Sequence, residues 1–273
     1  MNIDEHQHKL VKTQSHQQIE QSLSYFEPIF LSEMKNVSLL DRIDTKYIFP
    51  ISELYAILNQ VENEYKVLTI NQICLNSYHT VYFDEPEFTF YNQHHNNHAT
   101  RYKVRTRQYI DTNLTFFEVK HKTNKKRTIK SRLPLNGAMR SQTAEVKEFV
   151  DSHVPVDSNR LESKLWNDYL RITLVGKSRP ERVTIDIDLS FGRDQENADL
   201  HGIAIAEVKQ AHFSQDSYFI QQMRQRGIRS SSFSKYCAGV YLLYEDVKTN
   251  NFKELMQKVD HLVGQEEYYA NVS

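Results

Sequence analysis

The chain has 273 residues, 39% of them hydrophobic, 11% aromatic and 25% charged, with a net charge of −1. That suffices for one large domain or two small ones with a packed core, and it excludes a bulk polycation, so any anion binding must come from local clustering. No apolar run approaches the roughly 18–20 residues that span a bilayer. The N-terminus lacks a signal pattern, and Cys74 and Cys237 form neither a CxxC pair nor a disulfide framework, so the expected setting is cytoplasmic.

Residues 1–22, rich in Gln, His and Ser, are expected to be a mobile tail with some helix. "YFEPIFLSEM" (25–34) reads as helical and "SLLDRIDTKYIF" (38–49) as an alternating strand. In "PISELYAILNQVENEY" (50–65), Pro50 sits near the start of an amphipathic helix whose apolar face carries Leu54, Ile57, Leu58 and Val61. Four strands are predicted next: "ICLNSYHTVYFD" (73–84), "ATRYKVRTRQYI" (99–110), "LTFFEVKHK" (114–122) and "RTIKSRLPL" (127–135). "QTAEVKEFVDSH" (142–153) and "RLESKLWNDYLRIT" (160–173) read as helices, then "ERVTIDIDLSF" (181–191) and "GIAIAEVKQ" (202–210) as strands. Helices close the chain around "YFIQQMRQRG" (218–227), "SKYCAGVYLLYEDV" (234–247) and "FKELMQKVDHLV" (252–263). Strands in hairpin-like succession with helices outside make an α+β class with a mostly antiparallel sheet.

Strand side chains alternate between faces with a period of two, and here one face is repeatedly ionic. Arg42, Asp44 and Lys46 alternate with Ile43, Thr45 and Tyr47; Lys103, Arg105 and Arg107 alternate with Val104 and Thr106. Glu118, Lys120 and Lys122 oppose Phe117 and Val119, and Lys130 and Arg132 share a face. Arg182, Thr184, Asp186 and Asp188 alternate with Val183, Ile185, Ile187 and Leu189, and Glu207 and Lys209 with Ala206 and Val208. For one strand alone, a solvated face is the ordinary reading. Like charges facing each other across a ladder are destabilising, so across adjacent strands two further readings stand beside it. The face meets a polyanion, or it lines a closed or nearly closed barrel whose lumen is wet or occupied. Phosphate chains suit such a lumen, because Arg binds phosphate oxygens bidentately and Lys supplies a point charge.

The motifs "DRIDTKYIF", "YKVRTRQY", "FFEVKHK", "TIKSRLPL", "RVTIDIDLSF", "AIAEVKQ" and "SFSKYCAGVY", in this order over about residues 24–245, resemble the VTC domain of polyphosphate polymerases. That domain belongs to the triphosphate tunnel metalloenzyme, or CYTH-like, superfamily. The resemblance implies an antiparallel eight-stranded β-barrel with helices outside. The expected division is a mobile tail over 1–22, a tunnel domain over 23–247 and a C-terminal helical tail over 248–273. By position, the resemblance implies tunnel cations at Lys46, Arg105, Arg107, Lys120, Lys130, Arg182 and Lys235. Arg42, Lys103, Arg132, Lys209 and Ser234 are implied as secondary phosphate contacts. Glu207, with Glu118 and Asp186, is implied to hold Mn²⁺ or Mg²⁺. The implied reaction moves the γ-phosphoryl group of ATP onto a growing polyphosphate chain. A terminal phosphate is already an anionic nucleophile, so no Ser–His or carboxylate dyad is needed. The alternatives are a tripolyphosphate or nucleoside triphosphate hydrolase and a non-catalytic polyphosphate-binding module.

Two departures bear on that choice. Ser232 stands where polymerases of the family can carry a cation, which removes one phosphate contact and weighs against robust polymerisation, whereas "RIDTK" in place of the ExExK strand of the hydrolytic branch favours the polymerase branch. The family's regulatory SPX domain and membrane helices have no counterpart in the sequence, so membrane association would come through a partner protein. No nucleic acid is expected, since the faces at 103–107 and 118–122 interleave no stacking aromatics. "GKS" (176–178) is no P-loop, because Arg171 holds the required glycine position. "HHNNH" (94–98) reads as a mobile loop rather than a metal site, and "NKKR" (124–127) as a solvated hairpin tip. Ser234 and Lys235 open a helix whose N-terminus favours anions.

Overall fold

The computed structural model describes residues 14–34, 43–125, 127–135 and 143–272. Arg42, one of the expected phosphate contacts, lies outside them. In chain order the elements are α1 (Gln14–Leu23), β1 (Glu27–Ile29), β2 (Ile43–Pro50), α2 (Ile51–Val61), β3 (Tyr65–Leu68) and β4 (Asn76–Asp84). Then come α3 (Thr89–His95), β5 (Arg101–Tyr109), β6 (Leu114–Lys122), β7 (Thr128–Leu135), α4 (Ala144–His153) and β8 (Glu162–Gly176). The chain ends with β9 (Glu181–Arg193), β10 (Glu196–Leu200), β11 (Ile203–Gln210), α5 (Tyr218–Gln225), α6 (Lys235–Leu243) and α7 (Asn250–Val272). The sheet runs β2-β11-β9-β8-β4-β5-β6-β7, with β10 added beside β9 and the parallel pair β1–β3 beside β8.

Each main strand turns its apolar face outward onto helices. Val183, Ile185, Ile187, Ala206, Val208, Tyr47 and Phe49 pack with Leu54, Ile57, Leu58 and Val61 of α2 and with Phe219, Ile220 and Met223 of α5. Burying each α2 aliphatic stabilises the fold by roughly 1.5–3 kcal/mol. On the other side Val104, Phe117, Val119, Val81 and Phe83 meet Val146 and Val150 of α4, whose N-terminus is capped by the Thr143 hydroxyl accepting from the Val146 amide at 3.3 Å.

The opposite, ionic faces converge. Lys120 on β6 acts electrostatically on the Glu207 carboxylate on β11, although β9, β8, β4 and β5 lie between them in the sheet. Lys46 on β2 acts likewise on Lys103 on β5. Only a sheet curled upon itself brings those side chains together, so the charges share one interior. The ladder ends at β2 and β7.

Four expectations are corrected. Residues 14–22 are not tail: Ile19 and Leu23 of α1, one turn apart, are buried beside α2. Within 25–34 the ordered element is the strand β1, held parallel to β3 with Ile29 buried against Leu68, Ile70 and Val175. Residues 162–176 form a long strand, not the expected helix. His94 and His95 end a helix rather than a mobile loop. His95 is buried and its Nε2 accepts from the Asn251 amide at 3.3 Å, while burial and the charges of Lys103 and Arg101 hold His94 far below its usual pKa.

Candidate active site

Inside the curl, three carboxylates, two of them buried, each hold two cations. Glu118, fully enclosed on β6, accepts from Arg105 Nε at 2.9 Å and Nη2 at 2.7 Å, and pairs with Lys130 of β7. Asp186 on β9 accepts from Arg171 Nε at 2.5 Å and Nη2 at 2.8 Å, and pairs with Lys235 at the start of α6. Glu207 on β11 bridges Lys46 at 2.8 Å and Lys209 at 2.5 Å. Lys209 also donates to the Thr184 hydroxyl at 2.9 Å. For all three acids burial pushes the carboxyl upward, but the surrounding cations override it and hold each well below the usual carboxylate range.

The cations carry the complementary strain. Burial pushes Lys103 down to about 8, and does the same to Lys130, Lys209 and Lys235 against the pull of their carboxylates. The Arg105 charge, then burial and the Arg107 charge, press Lys120 well below its normal value. Arg107 lies 5.7 Å from the Tyr78 ring and 5.9 Å from the Tyr169 ring, and among the described residues its buried Nε has no hydrogen-bond partner. The buried Tyr169 hydroxyl and Thr80 hydroxyl are likewise without partners. An interior this rich in donors and positive charge is built to receive an anion with many acceptor oxygens.

Most residues implied by the resemblance meet here. Lys46, Lys103, Arg105, Arg107, Lys120, Lys130, Lys209 and Lys235 share this interior or its electrostatic network, and Arg182 is the register partner of Lys209. Arg132 is the cross-strand neighbour of Glu118, but its guanidinium lies over the Phe116 ring at 5.4 Å. The Ser234 hydroxyl caps α6, accepting from the Cys237 amide at 3.3 Å. α6 packs so closely on β8 and β9 that a Cβ at Gly239 would lie 2.9 Å from both Leu165 and Phe191. That seating aims Lys235 at Asp186.

Arg171 was missed from sequence because its segment read as a helix. The signal was present in the alternation of Tyr169, Arg171 and Thr173 against Leu170, Ile172 and Leu174. Asp188 leaves the lumen face: it takes a left-handed backbone (φ 51°) in a bulge opposite Tyr169, and pairs with His16 of α1 and His201. Beyond that bulge the inward set changes from Asp186 to the apolar Leu189 and Phe191.

Among the described residues no three of His, Cys, Asp and Glu gather into a metal-holding group. Divalent cations on phosphate substrates commonly take only one or two protein carboxylates. Glu207, with 23% of its side chain exposed, fits that need better than Glu118 at 0% or Asp186 at 6%. Also among the described residues, no helix is long and apolar enough to cross a membrane.

The profile of the family described as "VTC domain" matches residues 41–244. No curated protein matches the chain. Among solved structures it is similar to a candidate adenylate cyclase from Bacillus halodurans, at 11% identity over 75% of this chain and 98% of that one, with a TM-score of 0.48. It is also similar to a candidate adenylyl cyclase from Hippeastrum described as having a dominant triphosphatase activity, at 10% identity, 73% and 95% coverage and a TM-score of 0.48. A Pyrococcus horikoshii protein follows at 10% identity, 73% and 98% coverage and a TM-score of 0.42.

Proposed function

The chain belongs to the VTC domain family, and from that membership we propose that it is a metal-dependent polyphosphate polymerase, transferring the γ-phosphoryl group of ATP to the end of a polyphosphate chain held in the cationic interior. The observation that carries this reading is the convergence of Lys46, Arg105, Arg107, Lys120, Lys130, Arg171 and Lys235 on the inner side of the curled sheet. Phosphoryl transfer passes through a loose transition state, so its catalysis is mainly positioning and charge stabilisation. The guanidinium groups of Arg105, Arg107 and Arg171 clamp equatorial oxygens, while the lysines neutralise the bridging and terminal ones. The acceptor's terminal oxygen is anionic near neutral pH and needs no general base. Glu207 would hold Mn²⁺ or Mg²⁺, which when bound supplies charge neutralisation across neighbouring phosphates. Glu118 and Asp186 act instead as counter-ions that space the cations. The ligands are ATP and polyphosphate, the setting is cytoplasmic, and any membrane association comes through a separate partner.

The test is incubation of the purified chain with ATP and Mn²⁺ or Mg²⁺, followed by a phosphate-sensitive gel and an ADP assay. Long chains with stoichiometric ADP support polymerisation. Orthophosphate as the sole phosphorylated product beside ADP replaces it with a triphosphatase, and tight polyphosphate binding without turnover replaces it with a binding module.

A further inference from the structure

The lumen faces of β5 and β6 do not end in charge. Beyond Arg107 comes Tyr109, and before Glu118 comes Phe116, each on the same face as the cations by strand alternation. These rings complete an aromatic row across β8, β4, β5 and β6. Tyr169 and Tyr78 stack at 5.1 Å and 10°, Tyr78 and Tyr109 lie 5.0 Å apart, and Tyr109 meets Phe116 edge-on at 5.9 Å and 86°. The inner half of the row is sealed: Tyr169 and Tyr78 are buried in the cluster that includes α6. The outer half is not. Tyr109, packed against the edge of that cluster, and Phe116 are both half-buried, whereas Phe117 on the opposite face of β6 is wholly buried. A phenyl ring on an ionic lumen face, left partly open, forgoes the burial its neighbour enjoys. Cations flank both halves, with Arg107 over Tyr78 and Arg132 over Phe116.

Spacing ties this step to the phosphate site. Phe116 stands two and four residues from Glu118 and Lys120 along one strand, which is about 7 and 14 Å at the rise of an antiparallel strand. A triphosphate whose terminal phosphate sits at the level of Lys120 and Lys130 therefore runs its other two phosphates past Arg105 toward Arg107, the register partner of Phe116, and brings its ribose and base to the rings.

We propose that Tyr109 and Phe116 form a stacking platform for the nucleobase of a nucleoside triphosphate whose phosphates lie in the cationic tunnel, a reading that rests on the phosphate-binding function above. Stacking uses the π-face that every base has, so the platform favours nucleotides over bare tripolyphosphate without choosing strongly between adenine and guanine. Arg132 is long and exposed, and its planar guanidinium can cover the far side of the base.

The experiment compares ATP, GTP and inorganic tripolyphosphate by calorimetry on the full chain and on Phe116→Ala, Phe116→Trp and Tyr109→Ala, each checked by thermal melting. Phe116→Ala should weaken ATP and GTP by about 10-fold, within the range that stacking one base supplies, and leave tripolyphosphate within about twofold; Phe116→Trp should restore nucleotide affinity. Equal losses for all three ligands, or none for any, overturn the platform. A wild-type chain that fails to bind tripolyphosphate overturns the tunnel reading itself, which is a different result from one that binds tripolyphosphate and is indifferent to the ring.

Discussion

Glu118→Gln tests whether the carboxylates of the tunnel are counter-ions for the cations around them. The side chain is fully enclosed, chelated by Arg105 at 2.9 and 2.7 Å and paired with Lys130, and those charges outweigh burial in setting its pKa far below the usual range. Glutamine keeps the shape and removes the charge, leaving a buried guanidinium and an ammonium without compensation. Removing one partner of a buried pair costs about 3–5 kcal/mol. Lys130 keeps 27% of its side chain exposed and already sits at about 8, so it can shed its proton, which places the loss near the lower bound. For a domain of this size about 3 kcal/mol lowers the melting temperature by about 6–12 °C. Tripolyphosphate should recover at least half of that loss, because its oxygens replace the missing carboxylate beside Arg105. The assay is thermal melting of both proteins with and without tripolyphosphate in metal-free buffer. A drop under about 2 °C, or one that the ligand leaves untouched, refutes the counter-ion role, and loss of Mn²⁺ dependence with unchanged stability would make Glu118 a metal ligand instead.

Lys103, Lys130 and Lys235 are held at about 8, chiefly by burial, so their charged forms prevail below that pH and are lost above it. Tripolyphosphate affinity should fall as pH rises from 7 to 9, with proton uptake on binding visible as a buffer-dependent heat; a flat profile over that window counts against these lysines as phosphate contacts. Glu207→Gln should reduce metal-dependent turnover at least 100-fold while leaving the melting temperature within a few degrees, and unchanged turnover would remove Glu207 from the metal site. Gly192→Ala places a Cβ 2.1 Å from the Trp166 ring, and should lower stability by about 1–3 kcal/mol through overpacking; a wild-type melting curve would contradict that packing.

Where one face of a strand is apolar and the other charged, the sequence is readable almost to the residue. β6 was expected over 114–122 and is Leu114–Lys122, and the buried face of α2 is the expected Leu54, Ile57, Leu58 and Val61. The failure at 160–173 has a physical cause. Both faces of β8 are covered, Leu165 and Tyr169 by the cluster around α6 and Leu170, Ile172 and Leu174 by that around α2. Its register also shifts against β4 at Tyr82/Phe83 and against β9 at Asp168/Leu170. Apolar residues at 161, 165, 166, 169 and 170 then mimic a helical period. That misreading hid Arg171 and with it the partner of Asp186. The pairing of each acid with two cations was illegible for another reason: Glu118 meets Arg105 across a ladder, but Lys235 reaches Asp186 only through the seating of α6, and no local pattern encodes that contact.

The acids explain how so many cations coexist before a substrate arrives. A tunnel lined by cations alone would repel itself, and its lysines would discharge rather than stay buried and charged. The pressure on Lys120, which comes first from Arg105, is what that repulsion looks like where no carboxylate among the described residues is in direct contact. Glu118, Asp186 and Glu207 relieve it at three points, each fixing two cations from different elements: β5 with β7, β8 with α6, and β2 with β11. Those pairs hold donors in place in advance, so an entering phosphate chain meets an ordered lining rather than having to order it. The arrangement also limits affinity, since a phosphate oxygen that approaches one of those paired cations competes with a carboxylate already in contact. In the proposed polymerase, a chain advancing by one residue per transfer would need that limit, because a lining of unopposed cations would hold its product in place.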